Sequence, residues 1–359
     1  MRLLMLAPAS AVHTQRWANG LATLGVDVHL ACLVEHMSGL GTLDDRITTH
    51  PLRGHGQLAY FIQAPAVARL ARRLRPDVVN AHYASGYGTV LRLSRLQPSV
   101  LSAWGSDVFE FPDRGRLHQA LVDANLRFAR EVTSSSEVMA ARIAAVTRGA
   151  VTARVIPFGV DHALFRPATV AGGGRPLRFG IVKTLEPHYR IDVVVDAFAR
   201  YLSARDRGAA TLDIYGGGSL MGELQARASR LGVADRTIFH GPIPHQAVPD
   251  AVRAMDVFVL ASETESFGVA AVEAMSCGVP VIASDAPGFC EVLDNGRYGL
   301  LYPRGDVDSL ARLMGEVGDD VELRRRLREL GLDGAARYDW QRCLRQMYDL
   351  LEATARSAS

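Results

Sequence analysis

A chain of 359 residues is too long for one ordinary core and suits two domains of about 150–200 residues each. With 48% hydrophobic residues, 22% charged residues and a net charge of +2, it reads as a soluble globular protein and not as a disordered or strongly basic one, so no nucleic-acid partner is expected. No apolar run approaches the roughly 18–20 residues that span a bilayer, and four cysteines without metal-like or disulfide-framework spacing fit a reducing cytoplasm.

Short apolar runs alternate with helical patterns from the first residues onward. Leu3–Leu6 is followed at once by Pro8, His13, Gln15 and Arg16, which predicts a buried first strand and not a signal peptide. A helix is expected around Arg16–Leu24, then strands at Val26–Leu30 and, beyond a helix that stops before Pro76, at Asp77–Asn80. Val132–Ser134 and Val155–Ile156 are further strands. This strand–helix rhythm predicts a doubly wound parallel sheet.

The rhythm breaks at Phe165-Arg166-Pro167, and the stretch from Ala171 to Pro176 reads as a linker. Strands then resume at Leu177–Val182, Thr211–Tyr215, Thr237–His240, Val257–Leu260 and Val279–Ala283, with closing helices at Arg324–Leu330 and Trp340–Leu351. The expected division is residues 1–168, a first Rossmann-like domain on the acceptor side; residues 169–340, a second one that binds the donor; and residues 341–359, a helix packing back toward the first. Two such domains facing across a cleft would place ligands at the carboxyl ends of their strands.

Charge is uneven along the chain. Residues 1–165 carry 17 arginines against 12 acidic residues, whereas residues 166–359 carry 23 basic residues against 26 acidic ones. The run Arg69, Arg72, Arg73 and Arg75 reads either as a solvated helix face or as a contact with an anionic membrane surface. Every basic residue is arginine except Lys183, the only lysine of the chain. A lone lysine points to a position that needs a compact ammonium and not a planar guanidinium.

The segment from Ala261 to Pro280 holds the densest chemistry. Glu265 lies beyond the strand Val257–Leu260, and Ser266, Phe267 and Gly268 lead into a helix that Gly278 ends. The backbone N–H groups near Ser266–Val269 then sit at a helix N-terminus, a favourable place for a diphosphate. Glu273 falls about one and a half turns into the helix. Each carboxylate can accept hydrogen bonds from paired sugar hydroxyls. Taken on spacing alone, Glu265 can equally serve as a helix cap and Glu273 as a solvated face residue.

Glu265, seven residues and Glu273, followed by Ala-Met-Ser-Cys-Gly-Val-Pro-Val-Ile-Ala-Ser-Asp, resembles the E-x7-E signature of the retaining glycosyltransferases of family 4, which have the GT-B fold. Val155–Asp161 with Phe165-Arg166-Pro167, Phe239–Pro242, and Pro287-Gly288 through Glu291 and Gly299 resemble further ordered motifs of that family. The resemblance implies a hexosyl transfer from a nucleoside-diphosphate sugar to a carbohydrate or lipid-linked acceptor. It implies that Glu273 holds the donor ribose and Glu265 orients the transferred sugar. Ser266, Phe267, Gly268 and Val269 would offer backbone contacts, and Gly241 would lie beside the base. Lys183 and Arg190 would meet the leaving diphosphate from the loop Gly180–Arg190, although the family's usual Gly-Arg-Leu and Lys-Gly pairs are absent there. No metal or other cofactor is expected, since fixed cations and a helix N-terminus can stabilise the leaving group. The one Asp-x-Asp, Asp306-Val307-Asp308, reads as helix capping.

Three weaker signals complete the reading. Gly216-Gly217-Gly218-Ser219 lacks the third glycine of a dinucleotide fingerprint, because Met221 stands there, and reads as a tight turn. The loop Pro8–Arg16 lacks the family's glycines, so Ser10, His13 and Arg16 are its candidate acceptor contacts. His82, Trp104 and Asp107, at other strand ends of the first domain, are further acceptor-side candidates: Trp104, where many relatives place a histidine, to stack on a sugar face, and Asp107 to bind an acceptor hydroxyl, although each can equally be structural. Polysaccharide or glycolipid assembly is the implied setting, in the cytoplasm or peripherally at the inner face of the membrane. A nucleotide-sugar epimerase or a phosphorylase of the same fold, a dinucleotide-dependent oxidoreductase and a catalytically silent sugar-nucleotide-binding protein are the alternatives.

Overall fold

The computed structural model describes residues 1–38, 42–167, 176–204 and 210–357. The chain divides into two compact units, one formed by Met1–Phe158 with Gln341–Ser359 and the other by Gly159–Trp340. The expected linker from Ala171 to Arg175, and the boundary at 168/169, lie outside the described residues.

The first unit is built on a seven-stranded sheet. Its strands are β1 (Arg2–Leu6), β2 (Asp27–Leu33), β3 (Thr48–Leu52), β4 (Val78–His82), β5 (Ser99–Ser102), β6 (Glu131–Ser134) and β7 (Arg154–Val155), in the order β3-β2-β1-β4-β5-β6-β7. All paired strands run parallel. Leu3–Leu6 are fully buried, as an apolar run covered on both faces must be. The helix Val12–Thr23 crosses from β1 to β2 and buries Trp17, Ala18, Leu21 and Ala22, the 3.6-residue spacing that lays one stripe on the sheet.

The second unit repeats the plan with six strands, β8 (Arg178–Val182), β9 (Thr211–Tyr215), β10 (Thr237–Gly241), β11 (Val257–Leu260), β12 (Val281–Ser284) and β13 (Leu300–Tyr302). Their order is β10-β9-β8-β11-β12-β13, again all parallel. Asp306 caps the helix Val307–Asp319 by accepting from the Ser309 amide at 3.0 Å.

Three strands escape the sequence pattern. β3 carries Pro51 and mixed polar residues, which an edge strand tolerates. β5 is four residues long with serine at both ends, and β13 has three residues. None contains an apolar run long enough to stand out from a helix segment.

In each unit the strand order reverses once, between β1 and β4 and between β8 and β11. Adjacent helices leave from opposite faces there, so a crevice opens beyond the strand ends.

Candidate functional site

In the second unit, Lys183 is the first residue after β8 and Glu265 lies five residues beyond β11, so the two flank the switch point. The ammonium of Lys183 donates to Glu265 Oε2 at 2.9 Å, and the two side chains retain only 16% and 14% of their exposure. The ring of Tyr189 lies 4.4 Å from the same ammonium. Burial works against the lysine charge, but the neighbouring carboxylate of Glu265, with smaller help from Tyr189 and Glu273, outweighs it and holds the pKa above the ordinary lysine value. The ammonium is therefore charged at neutral pH.

The loops around this pair leave no room for side chains. Leu185 donates its amide to Gly217 O at 3.0 Å, and a Cβ on Gly216 or Gly218 would overlap the carbonyl oxygens of Lys183 and Leu185. The glycines of 216–218 are thus accounted for by close backbone approach to the Lys183 loop, in keeping with a tight turn. On the other side, Gly288 donates to Glu265 O at 3.0 Å, and a Cβ at Gly288 would come within 2.6 Å of the Phe267 nitrogen.

The helix Val269–Ser276 starts from Gly268, which sits at φ 97° with no space for a side chain because Phe289 is 2.9 Å from its Cβ position. Phe267 is buried against Tyr338, ring centroids 5.2 Å apart, which leaves its backbone as the part able to meet a ligand. Ser266 and Val269 are half-buried on either side. The first amides of a helix have no acceptor within it and create a positive end. Gly278, at φ 70°, ends the helix. Glu273 is buried within it, and His245 Nε2 approaches Glu273 Oε1 at 3.4 Å. Gly241, at φ 73°, terminates β10 and accepts from the Gly216 amide at 2.9 Å.

Arg190 is engaged elsewhere. Its guanidinium forks onto Asp192 at 3.1 and 3.2 Å and reaches Glu263 at 3.4 Å. The structure pairs Lys183 with Glu265 and leaves Arg190 with carboxylates of its own.

The first-unit candidates divide into two sets. His13 stacks on Phe158 at 4.0 Å, and Trp104 lies 4.4 Å from His82 and 5.1 Å from Tyr83, forming an aromatic cluster. His82 is fully buried and bonded to Asn80 Oδ1 at 2.9 Å; burial pushes its pKa down to about 3, so it is neutral. Ser10 and Asp107 instead line a cavity of about 790 Å³. Asp107 holds the amides of Ala84, Gly105 and Trp104 at 2.6, 2.8 and 3.1 Å, and burial still raises its pKa above the usual carboxylate value. Its oxygens tie two strand-end turns together. Arg16 is half-buried on the helix Val12–Thr23 and does not line that cavity.

Sequence reasoning missed Tyr189 and His245. Tyr189 sits six residues from the lone lysine and could have been found from that lysine, whereas nothing in the sequence links His245 to Glu273. No group of three or more His, Cys, Asp or Glu side chains placed to hold a metal ion occurs among the described residues.

Residues 173–332 match the family model for glycosyl transferases group 1, and residues 2–136 match that for glycosyl transferase 4-like proteins. Over 203 residues the chain is 36% identical to a D-inositol 3-phosphate glycosyltransferase of Acidothermus cellulolyticus, covering 52% of this chain and 45% of that one. The chain spans about half the length of the first such curated relatives it matches. Its fold is similar to that of sucrose-phosphate synthase from Thermosynechococcus elongatus, with a TM-score of 0.84, 21% identity and 100% of both chains covered. It is also similar to HepE of Anabaena in complex with UDP, with a TM-score of 0.81, 19% identity and coverage of 98% of this chain and 100% of that one.

Proposed function

Because the chain belongs to the group 1, family-4-like glycosyltransferases, we propose that it transfers a sugar from a nucleoside diphosphate to an acceptor hydroxyl with retention at the anomeric carbon. The observation that carries this reading is the Lys183–Glu265 pair at the β8/β11 switch point, with buried Glu273 on the helix that follows. In the reaction, the bond from the anomeric carbon to the phosphate oxygen breaks and its electron pair stays with the diphosphate. The acceptor oxygen bonds to that carbon from the same face, and its proton passes to a phosphate oxygen.

Negative charge grows on the diphosphate as the bond breaks, so a fixed cation beside it stabilises the transition state more than the ground state. Lys183 and the amides at the start of Val269–Ser276 take that role, which requires no metal. Arg190 comes second, since Asp192 and Glu263 already meet its charge. Glu265 takes hydroxyls of the moving sugar, and Glu273 those of the ribose. The acceptor is a glycan, a glycolipid or a small molecule held by the first unit. Assembly of a polysaccharide or glycolipid, in the cytoplasm or at the inner membrane face, is the proposed setting. No helix among the described residues is long and apolar enough to cross a membrane.

Titration with UDP, GDP and ADP, followed by incubation of the matching sugar nucleotides with and without acceptors, tests the reading. Binding of one diphosphate and slow hydrolysis without acceptor are expected. A sugar nucleotide inverted at one carbon would assign an epimerase instead, and binding without any turnover would assign a silent binding protein.

A further inference from the structure

The cavity of about 790 Å³ in the first unit lies beyond the carboxyl ends of β1, β4 and β5, and apart from Ser10 and Asp107 its lining has been given no role so far. Its walls include Tyr60, Phe61, Tyr83, Phe111, Leu117 and Leu121. The helix Gly56–Ile62 presents Gln57, Tyr60 and Phe61 to it, an i, i+3, i+4 stripe.

The backbone is specialised at this place. After β4 the chain makes a π-helical turn, Tyr83–Tyr87, a rare conformation that is frequent at functional sites. Tyr83 enters that turn at φ 68°, a left-handed conformation that costs a bulky residue about 1–3 kcal/mol. Gly86 lets the Tyr60 ring lie against the main chain, since a Cβ there would stand 2.7 Å from the ring. A strained turn held in place by Asp107 thus positions aromatic walls around a space.

Two exposed apolar residues stand in the lining itself, Phe61 and Leu117, exposed by 44% and 85%. With Leu58 and Ile62, exposed by 75% and 63%, they make up four of the ten large apolar side chains exposed among the described residues. All four belong to the two helices that bound this cavity, Gly56–Ile62 and Arg116–Phe128, whereas exposed apolar residues ordinarily scatter singly. Permanent charge in the lining is sparse and balanced. Among the described residues Arg114 is its one permanent cation and Glu110 its one carboxylate not tied to the backbone, with His36 and His118 as its imidazoles, so a phosphate or sulfate head would find no cluster of arginines or lysines. Ser10 and Ser106 offer hydroxyls suited to an uncharged polar head.

We infer that this cavity binds the acceptor, and that the acceptor is an uncharged amphiphile: a hydroxyl-bearing head near Ser10 and Ser106, and an apolar tail that runs along the aromatic walls and leaves past Phe61 and Leu117. The inference rests on the transferase reading for the word acceptor, but the binding it requires is measurable without turnover.

Calorimetric titration with methyl, butyl and hexyl β-D-glucosides, below their micelle concentrations, tests it. Affinity should rise at least about thirty-fold from methyl to hexyl as methylenes leave water. Phe61→Glu and Leu117→Glu, both at exposed positions where folding is undisturbed, should each erase the chain-length dependence. Val321→Glu, at an exposed apolar position of the second unit, should preserve it. Nucleoside-diphosphate binding is measured in every variant. Equal binding of methyl and hexyl glucoside, or an unchanged dependence in both rim variants, overturns the inference while leaving the transferase reading intact. So does tight binding to phosphatidylglycerol vesicles with no chain-length dependence, which would assign the rim to a membrane surface. Loss of all nucleotide binding in the wild type would instead count against the transferase reading, and the glucoside series would still be read on its own.

Discussion

At the β8/β11 switch point an ammonium and a carboxylate meet at 2.9 Å with most of their surface out of water. At the β1/β4 switch point the same strand order surrounds a cavity of aromatic walls in which the one buried carboxylate among the described residues, Asp107, is taken up by three backbone amides. Parallel strands in one order therefore set where a crevice opens but not what it binds. The second unit packs backbone against backbone through Gly216, Gly218 and Gly288, which fixes charges in place. The first unit spends strain at Tyr83 to hold rings apart.

If the second crevice alone handles the departing diphosphate, Lys183→Ala should lower kcat/KM by about 10²–10³ while leaving glucoside binding in the first unit unchanged. Steady-state kinetics beside calorimetry reads both, and a loss confined to glucoside binding would reverse the assignment of the two crevices. The rigidity of the charged site is tested by Gly216→Ala, because the new Cβ collides with the Lys183 carbonyl in a backbone conformation side chains rarely adopt. It should cost about 2 kcal/mol or more in denaturant unfolding and also lower diphosphate affinity. An unaltered midpoint would mean the two loops are not held as tightly as their contacts imply.

The first unit should carry the acid sensitivity. His82 is neutral when folded, with its pKa pushed to about 3, and has the ordinary value near 6.5 when unfolded. Below 6.5 the unfolded chain takes up a proton that the folded chain refuses, so stability falls as pH drops through that window and levels off near 3. By pH 5 the loss should reach about 2 kcal/mol, and His82→Gln should flatten it. Urea unfolding between pH 7 and 5 provides the comparison. The smallest expected effect is the most specific one. Glu265→Gln removes the carboxylate that competes with a diphosphate for Lys183, so transfer should fall while free nucleoside diphosphate binds several-fold more tightly. Weaker binding of the diphosphate would show that the pair opens no further for its ligand.

Much of this was legible without coordinates. Leu3–Leu6 and Val257–Leu260 announce buried strands, and Gly278 announces a helix end, because each depends only on neighbours in the chain. Lys183 stood out by being alone, whereas Glu265 and Glu273 were ambiguous on spacing and stood out only through the resemblance of their segment to the family-4 signature. Arg190 shows the limit: its place in the loop was readable, as was the nearby Asp192, but its second carboxylate, Glu263, is 73 positions away. Asp107 was a candidate for an acceptor hydroxyl, and the structure gives its oxygens to amides as far away as Ala84.

Ten of the thirteen strands and the two-part organisation follow from local pattern and composition, since hydrophobic period and turn chemistry act over a few residues. Which charges meet, which glycines are crowded, and where aromatic side chains enclose a space were decided only when the chain folded. Lys183 and Glu265 are 82 positions apart, and no short-range rule joins them; parallel β8 and β11 bring them within hydrogen-bond reach because the sheet reverses its order there.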